Sequence, residues 1–234
     1  MHTFMEGIRD GVPICLGYIS VSFGFGVLVV NGGLSALTAV IISLTNVTSA
    51  GQLAGLDIML ALGSLGELVL AEFIINVRYA LMSISLTQKL DDSFTLMHRL
   101  TCGFAITDEI FGVAASKSGL INRRYMYGLI SLPILGWVVG TALGAVAGSV
   151  LPQLVLDSMG IMLYAMFIAI VLPPATKSRA VALCVGISAA LSAVFSLVPA
   201  FSFMTSGFSV VVCALIASIP VALRFPVADE EEDK

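Results

Sequence analysis

Charged residues are scarce in this chain. Only 11% of its 234 residues are Asp, Glu, Lys or Arg, whereas 58% are hydrophobic, and the mean hydropathy is +1.04. A soluble domain averages about 25% charged residues and roughly 45–50% apolar ones. The chain has too few polar residues to cover a globule in water, so its composition predicts a polytopic membrane protein.

Several residue patterns that carry chemistry are also missing. The four cysteines lie apart in apolar runs without a CxxC or Cys/His spacing, which predicts neither a metal site nor a disulfide. The only histidines are His2 and His98, and neither a GxSxG nor a phosphate-binding lysine motif occurs. We therefore expect no enzyme activity, no cofactor and no direct use of ATP. The chain also lacks a basic face, so no nucleic-acid partner is expected.

Helix-long apolar stretches fill most of the chain. They cover residues 12–30, 36–62, 65–88, 100–116, 125–151, 154–173, 180–198 and 203–223. None shows the period-two alternation of a membrane barrel. We therefore expect an all-α polytopic membrane protein with about 7–8 transmembrane or half-membrane helices, some of them broken at Gly or Pro. The stretch 100–116 is short and charged, so a tilted span, a half-helix and a re-entrant hairpin stay open.

The chain is expected to form one transmembrane domain over residues 1–228, with possible halves 1–120 and 121–228. An acidic tail, 229–234, follows, and its run of like charges predicts disorder.

Basic residues alternate between the loops of the second half. Loops 117–124 and 174–179 contain Lys or Arg, whereas those near 152–153 and 199–202 contain none. By the positive-inside rule, the basic loops and the C-terminus face the cytoplasm. The orientation of the first half stays open because loop 89–99 mixes acids with bases.

A run of small and polar residues interrupts the second apolar stretch. Residues 46–55, NVTSAGQLAG, predict an unwound segment of the kind that transporters use to expose backbone groups to a substrate. A proline followed by closely spaced glycines occurs in both 10–33 and 130–148. This faint similarity could be an internal repeat, which one sequence does not establish.

Six ionisable residues lie within or beside the predicted spans, and such residues are functional candidates by default. They are Asp57, Glu67, Glu72, Arg78, Asp108 and Glu109. Glu67 and Glu72 lie near the start of a helix, where acids also favour the helix dipole, so a structural role stays open for both. Asp57 fits an interface or a turn equally well.

Arg78 is the hardest of these residues to explain by structure alone. Inserting a guanidinium into hydrocarbon costs a few kcal/mol or more. Glu67 would be about 16 Å away along the same helix, so we expect the partner to be Asp108 or Glu109. Adjacent helical residues point about 100° apart, so these two acids should have different partners. A pair that only fixes helix register and a guanidinium that binds a substrate carboxylate both remain open.

Four segments around these charges resemble the AzlC family of branched-chain amino acid exporters. They are FMEGIRDGVPICLGYISVSFGFG (4–26), TSAGQL (48–53), NVRYALMSISL (76–86) and, most specifically, TDEIF (107–111). The resemblance covers nearly the whole chain. Tyr79 stands where the family usually has histidine, which removes a titratable group beside Arg78.

The resemblance implies the large subunit of a two-component secondary transporter in the bacterial cytoplasmic (inner) membrane, with a small AzlD-like membrane protein as partner. It would export branched-chain or other small apolar amino acids, by analogy with the proton gradient as energy source. The expected substrate-binding residues are Arg78, Asn76, Ser49 and Gln52, and the proton or ion-pair candidates are Asp108, Glu109, Glu72 and Asp57. The substrate side chain would fit an apolar pocket near 46–55. A structural or scaffolding membrane subunit without transport of its own is the alternative.

Overall fold

The computed structural model describes residues 3–148, 174–201 and 203–225, together with positions 152, 154, 168, 171 and 172. This part of the chain is helical and contains no strand, which confirms the prediction of an all-α protein there. The helices are α1 (Phe4–Asn31), α2 (Ala36–Thr45), α3 (Ser49–Leu60), α4 (Leu65–Leu86), α5 (Leu96–Phe104), α6 (Asp108–Ser116), α7 (Arg123–Ala147), α8 (Arg179–Leu197) and α9 (Ser206–Arg224). Two 3₁₀ turns are Thr87–Lys89 and Pro199–Phe201.

Five helices in the described part are long and apolar enough to cross a membrane. They are Phe4–Asn31, Leu65–Lys89, Arg123–Ala147, Arg179–Leu197 and Gly207–Arg224. The expected span 154–173 falls almost wholly outside the described residues, as does the acidic tail 229–234. A polytopic helical protein is supported, while the expected number of about 7–8 spans or half-spans is not confirmed.

The chain divides into two units. The first contains Met1–Leu56 and Ile75–Leu163, and the second contains Asp57–Ile74 and Tyr164–Lys234. Helices α3 and α4 therefore each contribute residues to both units.

In the first unit, α1 and α7 pack side by side along their whole length. Gly7 lies against the backbone of Tyr125, and Gly26 lies against that of Thr141. The two helices therefore run parallel. A Cβ atom at either glycine would collide with the facing carbonyl oxygen, so the contact requires glycine, as in other close membrane-helix pairs.

Proline does not break these two helices. Pro13 and Pro133 lie inside continuous α1 and α7, so the expectation that the helices break at Gly or Pro is wrong for both. Close packing against a neighbouring helix allows a membrane helix to continue through proline. The breaks lie instead at 46–48 and 105–107, which contain neither glycine nor proline.

Helices α2 and α3 form the first hairpin, which turns at residues 46–48. Gln52 Nε2 donates to Ser43 Oγ at 2.7 Å. Leu56 and Ala39 belong to one apolar cluster, so α3 folds back along α2. The second apolar stretch is therefore not a single span. The unwound segment is also shorter than predicted, because α3 already begins at Ser49.

Helices α5 and α6 form the second hairpin, which turns at residues 105–107. Thr107 Oγ1 lies 2.5 Å from the Tyr18 hydroxyl, in the middle of α1. Lys117, just after α6, lies 2.7 Å from Asp10 Oδ2, near the start of α1. Helix α6 therefore runs antiparallel to α1, from its middle to its beginning.

Helix α5 and the end of α4 reach the same end of the first unit as Lys117. His98 Nδ1 lies 2.9 Å from the hydroxyl of Tyr127, in the first turns of α7. The Asp91 N–H donates to the Ile121 carbonyl at 3.0 Å. Both ends of the second hairpin are thus together, so the stretch 100–116 belongs to a re-entrant hairpin of two half-length helices.

The two hairpins enter the first unit from opposite ends of the α1–α7 pair. The first hairpin packs against Val29 and Ala145, near the C-terminal ends of α1 and α7, whereas the second lies at their N-terminal ends. Both turns reach one apolar cluster that contains Val47, Ile106 and Tyr18. In a membrane, this arrangement puts two helix breaks near the midplane, one reached from each side.

In the second unit, Glu67 stabilises the starts of two helices. Its N–H donates to Ser64 Oγ at 3.1 Å, which caps α4. Its carboxylate is buried and accepts the Gly207 N–H, in the first turn of α9, at 2.9 Å. A carboxylate at a helix N-terminus contributes roughly 0.3–1 kcal/mol, and up to about 2 kcal/mol when partly buried. These contacts support the structural role left open for Glu67.

Candidate functional site at the meeting point of the hairpins

Arg78 lies on α4 beside both hairpin turns. Its Nη1 is 2.8 Å from Asp108 Oδ2, and its Nη2 donates to the Tyr79 hydroxyl at 2.7 Å. Tyr79 in turn donates to Thr48 Oγ1 at 3.3 Å. The predicted pairing of Arg78 with an acid of the TDEIF segment is present. Arg78 and Tyr79 thus connect the first residue of α6 with the residue that precedes α3.

The pair of Arg78 and Asp108 is open to a ligand. Their side chains are 44% and 41% exposed. An ion pair with such exposure contributes only about 0–1 kcal/mol to stability, so it joins α4 and α6 weakly. The contacts with Asp108 and Tyr79 use at most three of the five guanidinium N–H donors of Arg78. The remaining N–H groups can donate to a second carboxylate, which favours a binding role over a purely structural one.

Threonine caps the second helix of each hairpin. Thr48 Oγ1 accepts the Gly51 N–H at 3.4 Å, and Thr107 Oγ1 accepts the Ile110 N–H at 3.3 Å. The N-terminus of each helix still carries a partial positive charge of about half a unit. Because these two N-termini meet beside Arg78, they can stabilise the carboxylate of a ligand there.

Glu109 has a different partner from Asp108, as predicted. The Tyr18 hydroxyl lies 2.7 Å from Glu109 Oε2 and 2.5 Å from Thr107 Oγ1. A phenol has one proton and a carboxylate only accepts, so Tyr18 donates to Glu109 and accepts from Thr107. Glu109 is nevertheless exposed, whereas Tyr18 is buried.

The charges around the two turns nearly balance. One guanidinium and two half-charged helix N-termini face the carboxylates of Asp108 and Glu109. A simple anion or cation would upset this balance. A small zwitterion, with its carboxylate at Arg78 and its ammonium at an acid, would preserve it.

Gln52 lies in a buried cluster with Ser43 and Thr141. Its side chain is 1% exposed, and its Nε2 donates to Ser43, whose Oγ lies 2.7 Å from Thr141 Oγ1. This cluster connects α2, α3 and α7. A ligand could reach Gln52 only if the first hairpin moved.

The other predicted site residues are spread more widely. Ser49 is the first residue of α3 and follows the capping Thr48. Asn76 precedes Arg78 by two residues, which places it about 200° around α4, so the two do not share a helix face. Asp57 and Glu72 belong to the second unit.

Tyr18 and the two capping threonines were not predicted as site residues. Thr107 could have been found, because a threonine followed by two acids is a typical start of a helix. Tyr18 gives no such signal, since its role depends on a partner 89 residues away.

An ionic cluster fixes the open end of the second hairpin to α1. Lys117 Nζ lies 2.7 Å from Asp10 Oδ2 and 3.1 Å from Glu6 Oε1. The hydrogen bond to Asp10 is the main cause of a raised pKa at Lys117. Tyr125 also donates to Asp10, at 2.8 Å. The ionic contacts of the second hairpin thus lie at its turn, through Asp108, and at its open end, which we also call its base, through Lys117.

These features define a polytopic helical membrane protein in which two re-entrant hairpins meet at an arginine. The family model described as AzlC protein matches residues 13–151. The chain belongs to the AzlC family.

The relatives are membrane proteins. The chain is 32% identical to the Inner membrane protein YgaZ of Escherichia coli (strain K12), an alignment that covers 97% of this chain and 94% of that protein. It is 33% identical to an uncharacterized membrane protein of Archaeoglobus fulgidus, with 73% and 75% coverage. A Helicobacter pylori protein of the same description is 26% identical, with 64% and 68% coverage. No solved structure matches the chain.

Proposed function

We propose that this protein exports small apolar amino acids, the branched-chain ones foremost, across the bacterial cytoplasmic membrane. It acts as the large subunit of a two-component secondary transporter. The substrate carboxylate binds Arg78 and the N-termini of α3 and α6. The substrate ammonium binds Glu109 or Asp108.

The meeting of the two hairpin turns at a half-exposed guanidinium carries this proposal. Discontinuous helices whose N-termini approach an anionic substrate group are a recurring arrangement in secondary transporters. The near balance of charge favours a zwitterion over an anion. The AzlC family membership supports the export of amino acids as the specific process.

The membrane orientation and the partner are part of the proposal. The basic loops 117–124 and 174–179 place the N-terminal ends of α1 and α7, and the C-terminus of the chain, in the cytoplasm. The second hairpin then opens to the cytoplasm and the first hairpin to the outside. A small AzlD-like membrane protein completes the transporter.

Reconstitution in vesicles tests the function. The purified chain, with and without the small partner, is assayed for efflux of labelled leucine, methionine and alanine under an imposed pH gradient. We expect flux that needs the partner, and a strong decrease in Arg78→Lys, because lysine lacks the bidentate fork.

Arg124→Lys is the matched control, since it makes the same exchange at an exposed position of α7. Wild-type flux in Arg78→Lys would rule out the assigned role of Arg78. Absence of flux for all three amino acids in every condition would favour a structural subunit.

A further inference from the structure

A cavity of about 520 Å³ adjoins the candidate site in the first unit. It lies between α4 and α5 and has mostly apolar walls. Tyr79, whose hydroxyl contacts Arg78, lines one end, and Thr87 and Arg99 line the other. Tyr79 and Thr87 are eight residues apart, so the cavity extends about 12 Å along α4.

We propose that this cavity receives the apolar side chain of the transported amino acid and is its entry path from the cytoplasm. This inference rests on the proposed function and places the side-chain pocket away from residues 46–55. The cavity is continuous with the Arg78 site, because Tyr79 lines the apolar wall and its hydroxyl also contacts Arg78. A molecule with a carboxylate next to an apolar side chain matches both surfaces at once.

The size of the cavity sets the range of substrates. Ligand pockets of about 300–1,000 Å³ hold whole small molecules, so this cavity admits side chains larger than those of leucine or valine. Phenylalanine and methionine therefore fit as well. The protein selects among amino acids by the apolar contact that each side chain makes with the cavity walls. A small side chain such as that of alanine makes little contact and is therefore bound less well.

Arg99 supplies the first polar contact on this path. Arg99, on α5, lines the end of the cavity that lies beside Thr87, and its side chain is exposed. No ion pair or hydrogen bond of its guanidinium occurs among the described residues. A carboxylate arriving from the cytoplasm meets Arg99 first and passes along the apolar wall to Arg78.

Gly103 gives a direct test of the side-chain pocket. A Cβ atom at Gly103 would have only Ser83 Oγ nearby, at 3.7 Å, so a larger side chain can enter the cavity without a clash. We expect Gly103→Leu to raise the KM for efflux of leucine and phenylalanine about tenfold or more, and that of alanine less than about twofold. Ser83→Leu narrows the same space from the opposite wall and should give the same pattern.

Gly112→Leu is the matched control, because Gly112 lies on the other arm of the same hairpin and has open space around it. It should leave all three KM values unchanged. Equal changes in the KM values for alanine and phenylalanine in both cavity variants would overturn the proposal. They would indicate that the cavity holds a lipid chain. Loss of flux in Arg78→Lys together with unaltered selectivity in the cavity variants would refute this inference alone.

The entry path predicts a separate effect at Arg99. Arg99→Gln should raise the KM for every amino acid about threefold to tenfold and leave the maximal rate unchanged, since it removes a contact made before Arg78. Arg124→Gln, at an exposed base outside the cavity, should change neither value. An unchanged KM in Arg99→Gln would contradict entry at this end.

Discussion

The two hairpins of the first unit share one plan and differ in their chemistry. Each consists of two short helices, has a buried apolar residue in its turn, Val47 or Ile106, and begins its second helix with a threonine cap. The first turn continues with Ser49 and Ala50, whereas the second continues with Asp108 and Glu109. One hairpin therefore offers hydroxyl and amide groups, and the other offers two carboxylates.

The difference extends to the open ends of the hairpins. The second hairpin is held to α1 by Lys117, through Glu6 and Asp10. The described contacts of the first hairpin near its open end are apolar and involve Val29 and Ala145. In the proposed orientation, these charged groups thus lie on the cytoplasmic side, from which we propose that substrate enters. The opposite side depends on packing and neutral hydrogen bonds.

Removing the charge at the second turn should have the largest effect. Asp108→Ser makes this turn resemble the first and leaves Arg78 without its acid. In the proposed function Asp108 is also an acid for the substrate ammonium. A hydrogen bond to a charged group contributes about 1.5–3 kcal/mol, so efflux should fall about 30-fold. Ser49→Ala, at the equivalent position of the first hairpin, should change efflux less than about threefold. Equal losses in the two variants would show that the turns are not chemically distinct.

Tyr18 connects α1 to the second turn by hydrogen bonds, and its removal should have an intermediate effect. Tyr18→Phe deletes the hydrogen bond to Glu109, and a bond to a charged group contributes about 1.5–3 kcal/mol, so we expect roughly a tenfold loss of efflux. Efflux assays in vesicles measure it. Tyr127→Phe, which loses a hydroxyl away from the turns, is the control. Similar losses in both would point to general destabilisation.

The capping threonines should contribute equally to stability and unequally to transport. Thr48→Ala and Thr107→Ala each remove one N-cap, worth about 1 kcal/mol. Thermal unfolding in detergent should show similar decreases for both. Thr107→Ala should also reduce efflux more strongly, because Thr107 holds Tyr18 at 2.5 Å, whereas the hydroxyl of Tyr79 lies 3.3 Å from Thr48. A larger loss of efflux in Thr48→Ala would reverse the assignment of the active turn.

The ionic base of the second hairpin should give the smallest effect, and it depends on pH. The hydrogen bond that Lys117 donates to Asp10 raises the pKa of Lys117 above the ordinary value of 10.5. The stabilisation is therefore complete below that ordinary value and is lost as the pH rises through the higher folded-state pKa. The difference in melting temperature between wild type and Lys117→Met should stay constant from about pH 7 to 9 and shrink above about pH 11. A difference that already shrinks between pH 7 and 9 would contradict this pairing.

The sequence predicted some of these features for clear physical reasons. Composition alone indicated a helical membrane protein, and the isolated charge of Arg78 required an acid, which the structure provides as Asp108. The folding back of α3 along α2 was not predictable, because periodicity gives helices but not their direction. The helix break expected at Pro13 is absent for a related reason, since a membrane helix continues through proline only where a neighbouring helix packs against it. The role of Tyr18 depends on contacts far along the chain and leaves no local trace.

The central claim is that Arg78 recognises the carboxylate of an amino acid. The direct measurement compares the thermal stabilisation of the purified transporter by leucine and by leucinamide, in which the carboxylate is an amide, for wild type and Arg78→Lys. We expect leucine to stabilise wild type at concentrations about 100-fold lower than leucinamide does, and this preference to fall below about tenfold in Arg78→Lys. An undiminished preference for leucine in Arg78→Lys would show that another group binds the carboxylate.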